Sequence, residues 1–521
     1  MRFVSLALIL LLWSDALAAQ HPFATGGQYD PSVPAPRTVL GYEVGERFTP
    51  HHVLARYFES VAAASPRVRL DTLGHSFEGR EVLLAVVTSE ANQQRIDEIL
   101  AASGRVADPR GASPAELDAA VRSLPGIVWL AFTVHGGEAS GVEAAIALLY
   151  QLAAGGDADT RLVLDSTVVL IDPVQNPDGH ERHVQDVMRM RGSLGVPATP
   201  GAMIHSGNWP GPRTSHYYFD LNRDWFILSH PETRAQLSSM TRWWPHVAVD
   251  LHEMGSSSTY FFAPPMEPIN QNVHTTVRKW WQIYAESNAA AFDRHGWSFF
   301  TREGYDEFYP GYGPSWPIFA GAAGMTYEQA SSSGGAIRRS DGTVMTLRDA
   351  AHHHYTAAFA TALATAQRRT ERVRDFLEFR TSAISDGQAG PMRSIVIARD
   401  VQGRADSLIV KLLSSGIEVG RLQSATEVRG ATAFGSSSAS TLRAPAGAYV
   451  IDLAQPQGRL VKALLEPDAQ LDSSFIADEL ERRRTGQGNR FYDITAWALP
   501  YLFRVDAWWT GSSPGPAQPV T

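Results

Sequence analysis

At 521 residues the chain exceeds a single small domain, and its formal net charge is −9, with lysine almost absent from its 45 basic residues. No basic stripe is present, which argues against nucleic acid or an anionic membrane as partner. With no cysteine, a disulfide-stapled scaffold is excluded, and any metal site must be built from histidine and carboxylate.

The first residues place Arg2 before an apolar run, Phe3–Trp13, followed by the small-x-small pattern Ala16-Leu17-Ala18. The run is too short to span a bilayer. It predicts a signal peptide over 1–19, a secreted or periplasmic location, and no membrane span in the mature chain. Apolar, β-branched runs then alternate with helical patterns. Strands are expected at 81–89, 126–134, 167–174, 246–251 and 323–329. Helices are expected from 141, over 274–296 and over 346–379, and in the first of these Val142, Ala145, Ile146 and Leu149 share a face. This alternation predicts an α/β domain over 41–384 with a largely internal sheet. A polar Gly/Pro stretch at 381–393 marks a boundary. Beyond it a strand (393–398), a helix (405–416) and a strand (446–453) predict a smaller accessory α/β domain over 392–510. The composition of 511–521, GSSPGPAQPVT, predicts a disordered tail. The catalytic pattern starts by about Gly41, which leads to the expectation that no large prosegment precedes it.

The chemistry collects at strand ends. HGGE follows 126–134, QNPDG follows 167–174, HE follows 246–251, and Glu328 lies in 323–329. In α/β sheets the carboxyl ends of strands are where sites form. A hydrolytic zinc takes three protein ligands and keeps one position open. His135, Glu138 and His252 supply two imidazoles and a carboxylate, and Glu328 is the candidate base that takes a proton and returns it to a leaving amine. A second His-x-x-Glu spacing, His75–Glu78, sits in a Gly-flanked turn. Spacing alone does not separate the two, and His135–Glu138 by itself fits helix capping as well as metal binding. The consecutive His352, His353 and His354 point about 100° apart on a helix and are expected on a solvated face.

These residues resemble the zinc carboxypeptidase family, the carboxypeptidase A-like metallopeptidases, in order from GHSFEGRE to MTYEQASSSGG. The resemblance implies a mixed twisted sheet flanked by helices, one Zn2+ per chain on His135, Glu138 and His252, and Glu328 as general base. It implies an oxyanion-stabilising arginine at Arg191, with Arg189 as fallback. It also implies Asn222 and Arg223 as the grip on a terminal carboxylate, and a lid tyrosine among Tyr305, Tyr309 and Tyr312, with Tyr305 preferred. Gly179 closes the family's Asn-Pro-Asp-Gly element, and GHSFEGR becomes an upstream landmark. The sequence departs from better-known members at Gly137, where they often carry arginine, at Asp224, and at Glu253 beside the third ligand.

The expected activity is metallocarboxypeptidase hydrolysis of a peptide or amide with a free C-terminal carboxylate. The alternatives are a zinc amidohydrolase acting on peptidoglycan stem peptides or N-acyl amino acids, and a non-catalytic binding protein on the same fold. Side-chain preference and oligomeric state are not encoded in these motifs.

Overall fold

The computed structural model describes residues 21–24, 27–192, 195–207 and 209–521, so the expected signal peptide lies outside the described residues. The first sheet has seven strands: β1 (Val68–His75), β2 (Glu81–Val87), β3 (Gly126–Phe132), β4 (Thr167–Asp172), β5 (Val247–Met254), β6 (Tyr260–Phe261) and β7 (Ala323–Ala330). Their spatial order is β1-β2-β4-β3-β5-β7-β6. The inner pairs β4/β3, β3/β5 and β5/β7 are parallel, and the outer pairs are antiparallel.

The residue pattern explains the layering. Every residue of β3, GIVWLAF, is buried, as a parallel strand covered on both faces requires. Helix α1 (Ser140–Ala154) is buried along its whole length. An apolar helix of that kind needs neighbours all round, and it packs against helix α5 (Leu347–Gln367) as well as the sheet. Between them run α2 (Pro177–Met190), α3 (Pro231–Trp243) and α4 (Thr275–Asp293). Trp280 and Trp281 on α4 are packing residues, with Trp281 Nε1 donating to the Gly324 carbonyl at 2.7 Å.

The expected single helix over 346–379 is two helices. α5 ends at Arg368 (φ −121°, ψ 24°), and α6 (Arg369–Ala389) follows. α6 runs through most of the expected 381–393 boundary, leaving only residues 390–393 as connection. Two buried arginines hold it. Arg372 donates to the carbonyls of His246 and Gly321, and Arg380 donates to Gln457 Oε1 beyond the boundary. The histidine triplet also differs from expectation. His354 is fully buried and pairs with Tyr260 Oη at 3.0 Å, and His353 reaches Gln329 Oε1 at 2.8 Å. That face of α5 meets the sheet, not solvent.

A second seven-stranded sheet follows, built from β8 (Ser394–Ile397), β9 (Gly420–Leu422), β10 (Thr426–Ala433), β11 (Ala439–Ala444), β12 (Tyr449–Asp452), β13 (Ala507–Thr510) and β14 (Ala517–Pro519). The order is β11-β10-β13-β8-β12-β9-β14, and each pair is antiparallel. Helices α7 (Arg404–Ser414), α8 (Gly458–Leu465) and α9 (Ser473–Arg484) accompany it. The tail expected to be disordered supplies β14. Ala517–Pro519 pairs with Gly420–Leu422, and the Val520 amide donates to the Val419 carbonyl at 2.9 Å. An edge strand offers backbone groups to any extended segment, so pairing here overrides a polar, Pro-rich composition.

Candidate metal centre and catalytic cleft

The cleft lies at the carboxyl ends of β3, β5 and β7. At the end of β3 the chain turns through Thr133, a non-glycine residue at φ 59°. Residues in that region carry strain and persist only where surroundings fix them. Here Thr133 Oγ1 donates to the Glu138 carbonyl at 3.0 Å, and the Glu138 amide donates to the His135 carbonyl at 2.9 Å. Gly136 lets this loop press on the first turn of α2, because a Cβ there would stand 2.0 Å from the Gly179 carbonyl carbon. That turn is built by Asn176, whose Oδ1 accepts from the Gly179 amide at 2.9 Å, with Pro177 at the first helical position.

The two His-x-x-Glu spacings now part. In the His75–Glu78 turn, Ser76 Oγ, the Glu78 amide and Arg80 Nη1 all donate to the buried Asp178 carboxylate, at 2.6, 3.1 and 2.7 Å. This turn braces α2 and leaves His75 exposed. In the other, His135 Nδ1 is 2.8 Å from Glu138 Oε1, and His252 Nδ1 is 3.1 Å from Glu138 Oε2. One donor atom from each of the three lies within 4.8 Å of the others.

Behind the imidazoles stand two carboxylates. His135 Nε2 is 3.1 Å from Asp220 Oδ1, and His252 Nε2 is 3.0 Å from Asp250 Oδ2. Each Nδ1 therefore faces the centre while Nε2 faces an orienting acid, the carboxylate–histidine arrangement that fixes metal ligands. Burial alone would lower both histidines, yet Glu138 and Asp250 hold them above their ordinary value. Burial alone would raise Glu138, yet the two imidazoles hold it well below the usual carboxylate range. A field that favours protonated imidazole also favours a cation between the ligands, and the donor set of two imidazoles and one carboxylate with an open side fits zinc.

Glu328 on β7 is the strand neighbour of His252 on β5. It is 7% exposed, and burial pushes it up to about 8. The cleft holds a cavity of ≈ 310 Å³ lined by the three candidate ligands with Glu328, Arg213, Asn222, Tyr305 and Tyr312 among others. Tyr305 and Tyr312 face this space. Tyr309 is 3% exposed and packs edge-on against Phe226.

Arg191 is not among the residues lining the cavity. It caps the exposed end of α2, and Arg189 is exposed beside it, paired with Asp186. The guanidinium at the centre belongs to Arg213. Its Nη1 lies 3.3 Å from His135 Nδ1 and 3.7 Å from Glu138 Oε1, and its Nε donates to Asp220 Oδ2 at 3.0 Å. The adjacent Pro212 also accounts for Gly137, since a Cβ there would meet Pro212 Cγ at 2.8 Å. Pro212 fills the space over the loop, and the next residue is the arginine that meets His135.

Asn222 is buried, with Oδ1 accepting from the Gly313 amide at 2.7 Å. Arg223 stacks over Tyr312 at 4.5 Å, and its Nε and Nη2 donate to Asp493 Oδ2 at 2.9 and 2.7 Å. Glu253 is among the residues lining the cavity, and its Oε1 accepts from the Ser140 amide and hydroxyl at the start of α1, at 2.8 and 2.5 Å. Sequence reading missed Asp220, Asp250, Arg213 and Asp493. The period-2 alternation of a strand puts Asp250 on the same face as His252, so that one was detectable.

Residues 54–313 match the model of a family described as zinc carboxypeptidase, peptidase M14. Over 133 residues the chain is 31% identical to "Probable carboxypeptidase 2" of Arthroderma benhamiae, covering 26% of this chain and 20% of that protein. The protein of the same name from Trichophyton verrucosum is 30% identical with the same coverage. The match thus spans about a fifth of the length of these curated relatives. Among solved structures, a metallo-carboxypeptidase from Burkholderia cenocepacia is 16% identical with a TM-score of 0.41, covering 61% of this chain and 69% of that one. A metallo-carboxypeptidase from Pseudomonas aeruginosa, in complex with (2-guanidinoethylmercapto)succinic acid, is 17% identical with a TM-score of 0.41, covering 63% and 71%.

Proposed function

Since this chain belongs, through residues 54–313, to the zinc carboxypeptidase family, we propose that it is an exported zinc metallocarboxypeptidase releasing C-terminal residues from peptides. The observation that carries this reading is the meeting of His135, Glu138 and His252 with buried Glu328 on the neighbouring strand. Zinc, when bound by these three residues, supplies Lewis-acid polarisation of a carbonyl and of water. Asp220 and Asp250 hold the imidazoles with Nδ1 forward.

Glu328 takes the proton of the attacking water and returns it to the leaving amine. Arg213 lies where negative charge grows on the carbonyl oxygen and stabilises it there. Arg223, with Asn222 beside it, offers a planar fork for the substrate's terminal carboxylate. Tyr305, the lid tyrosine, lines the same cavity. The apolar run Phe3–Trp13 supports export, and among the described residues no helix is long and apolar enough to cross a membrane. The region 392–510 serves as an accessory domain that closes one side of the cleft.

The test is hydrolysis of N-blocked dipeptides by zinc-loaded protein with and without chelator, alongside Glu328→Gln. Activity should vanish with chelator. The variant should keep its zinc and lose about 10³-fold in kcat. Chelator-resistant hydrolysis, or a Glu328→Gln enzyme as active as the parent, overturns the reading.

A further inference from the structure

We propose that Asp493 is a specificity-determining residue. It occupies the Nε/Nη2 edge of Arg223, so that a substrate's free C-terminal carboxylate takes that edge by displacing it. This rests on the role of Arg223 given above, and it goes beyond the family-matched region, since Asp493 lies outside residues 54–313.

The segment carrying Asp493 is fastened on both sides. Phe491 packs against Phe308 and Phe475, with ring centroids 6.3 and 5.1 Å away. Trp497 is buried against Phe308 and Tyr309, and its Nε1 donates to the Ala463 carbonyl at 2.7 Å. Between these anchors the Tyr492 amide donates to Asp306 Oδ2 at 2.9 Å, and the Tyr492 ring joins the cavity wall beside Tyr305 and Tyr312. The next residue, Asp493, is thereby held against Arg223, whose neighbours Asn222 and Tyr312 line the cavity.

The donor inventory of Arg223 then decides the matter. Nε and Nη2, the edge that grips a carboxylate, both donate to Asp493 Oδ2. Nη1 donates to the Asn222 carbonyl at 3.1 Å and lies 3.8 Å from Asp220 Oδ2. The stacked face is covered by Tyr312. Three of its five N–H groups donate in this way, and the Nε/Nη2 edge is occupied by Asp493. A carboxylate-terminated ligand that takes this edge moves Asp493 aside, whereas a ligand ending in a neutral amide leaves the pair in place. The Asp493 side chain is 42% exposed, so the exchange is between partners of similar strength, and freeing Arg223 should tighten carboxylate binding about fivefold.

The experiment uses the full-length zinc-loaded chain. Calorimetry on Glu328→Gln, with and without Asp493→Asn, reads the dissociation constants of an N-acetyl dipeptide and of its C-terminal amide without turnover. Steady-state kinetics on the single variants Asp493→Asn and Asp493→Ala read KM and kcat. Removing the charge should lower Kd and KM for the acid about fivefold, leave kcat within about twofold, and leave the amide unmoved. Acid affinity that is unchanged or weaker, or an equal shift for acid and amide, overturns the proposal. If the calorimetric difference appears but the parent protein hydrolyses no peptide, the peptidase reading fails while the contest for Arg223 stands. If hydrolysis is robust and the difference is absent, the reverse holds.

Discussion

Replacing Arg213 with alanine is expected to lower kcat/KM about a hundredfold, while replacing Arg191 should change it by less than about twofold. The magnitude follows from the placement of the guanidinium. Arg213 Nη1 is 3.7 Å from Glu138 Oε1, so a carbonyl oxygen presented in the same gap meets it at a comparable distance. A unit charge about 4 Å away contributes about 4 kcal/mol at the effective dielectric near a protein surface. The Arg213 side chain is 47% exposed, and solvent screening reduces this to about 2–3 kcal/mol, or about 10²-fold in rate. Arg213→Lys keeps the charge, loses the fork to Asp220 and should fall between. The assay is initial-rate hydrolysis of an N-blocked dipeptide at matched zinc content, because Arg213 also pairs with Asp220 behind His135. An Arg191→Ala enzyme as impaired as Arg213→Ala, or an Arg213→Ala enzyme within about threefold of the parent, would refute the assignment.

Asp220→Asn removes the acid behind His135 Nε2 and should weaken zinc binding about 10–100-fold, measured by competition with a chromophoric chelator; unchanged affinity would mean that the loop alone orients the ring. Gly136→Ala sets a methyl against the α2 backbone at 2.0 and 2.3 Å. It should cost more than about 2 kcal/mol of stability by denaturant unfolding together with a loss of bound zinc. Stability should also fall on acidification. Burial lowers His180 to about 4 and His183 and His354 to about 3, so below the unfolded value of 6.5 the unfolded chain takes up protons that the folded chain refuses. At pH 5.5 each of these costs about 1.4 kcal/mol, about 4 kcal/mol together, relative to a pH well above 6.5. A denaturation midpoint that does not move between pH 7.5 and pH 5.5 would count against their neutral burial.

The strands around the cleft were legible because β3 and β4 are near-continuous apolar runs and β5 and β7 open on apolar residues, and a covered parallel strand permits little else. Their polar ends pointed to one edge for the same reason. Arg213 escaped because spacing carried over from relatives is counted along the chain, and a count does not show that Pro212 and Arg213 lie over Gly137 and His135. His354 escaped because α5 is enclosed by both α1 and the sheet, so a polar triplet that pattern assigns to solvent has to find Tyr260 inside. The ordered tail depends on a partner far back in the chain, the Gly420–Leu422 strand. Asp493 was beyond reach altogether: 270 residues separate it from Arg223, and no local pattern reports which loop of one sheet will lie across the cleft of another.

The pairing of His252 with Glu328 across β5 and β7 bears on how this site can change over evolutionary time. Adjacent strands sit about 4.8 Å apart, so the clearance between the metal ligand and the acid is an increment of the sheet, not a length adjustable by repacking. Small mutations in the core can tilt or stiffen that rung but cannot stretch it. The only coarse move available is a slip of one residue, which turns one of the two side chains to the opposite face and abolishes the site. Diversification of such an enzyme is therefore channelled into what surrounds the rung: the loop that brings Arg213, the tyrosines, and the strand-to-helix segments of the second sheet.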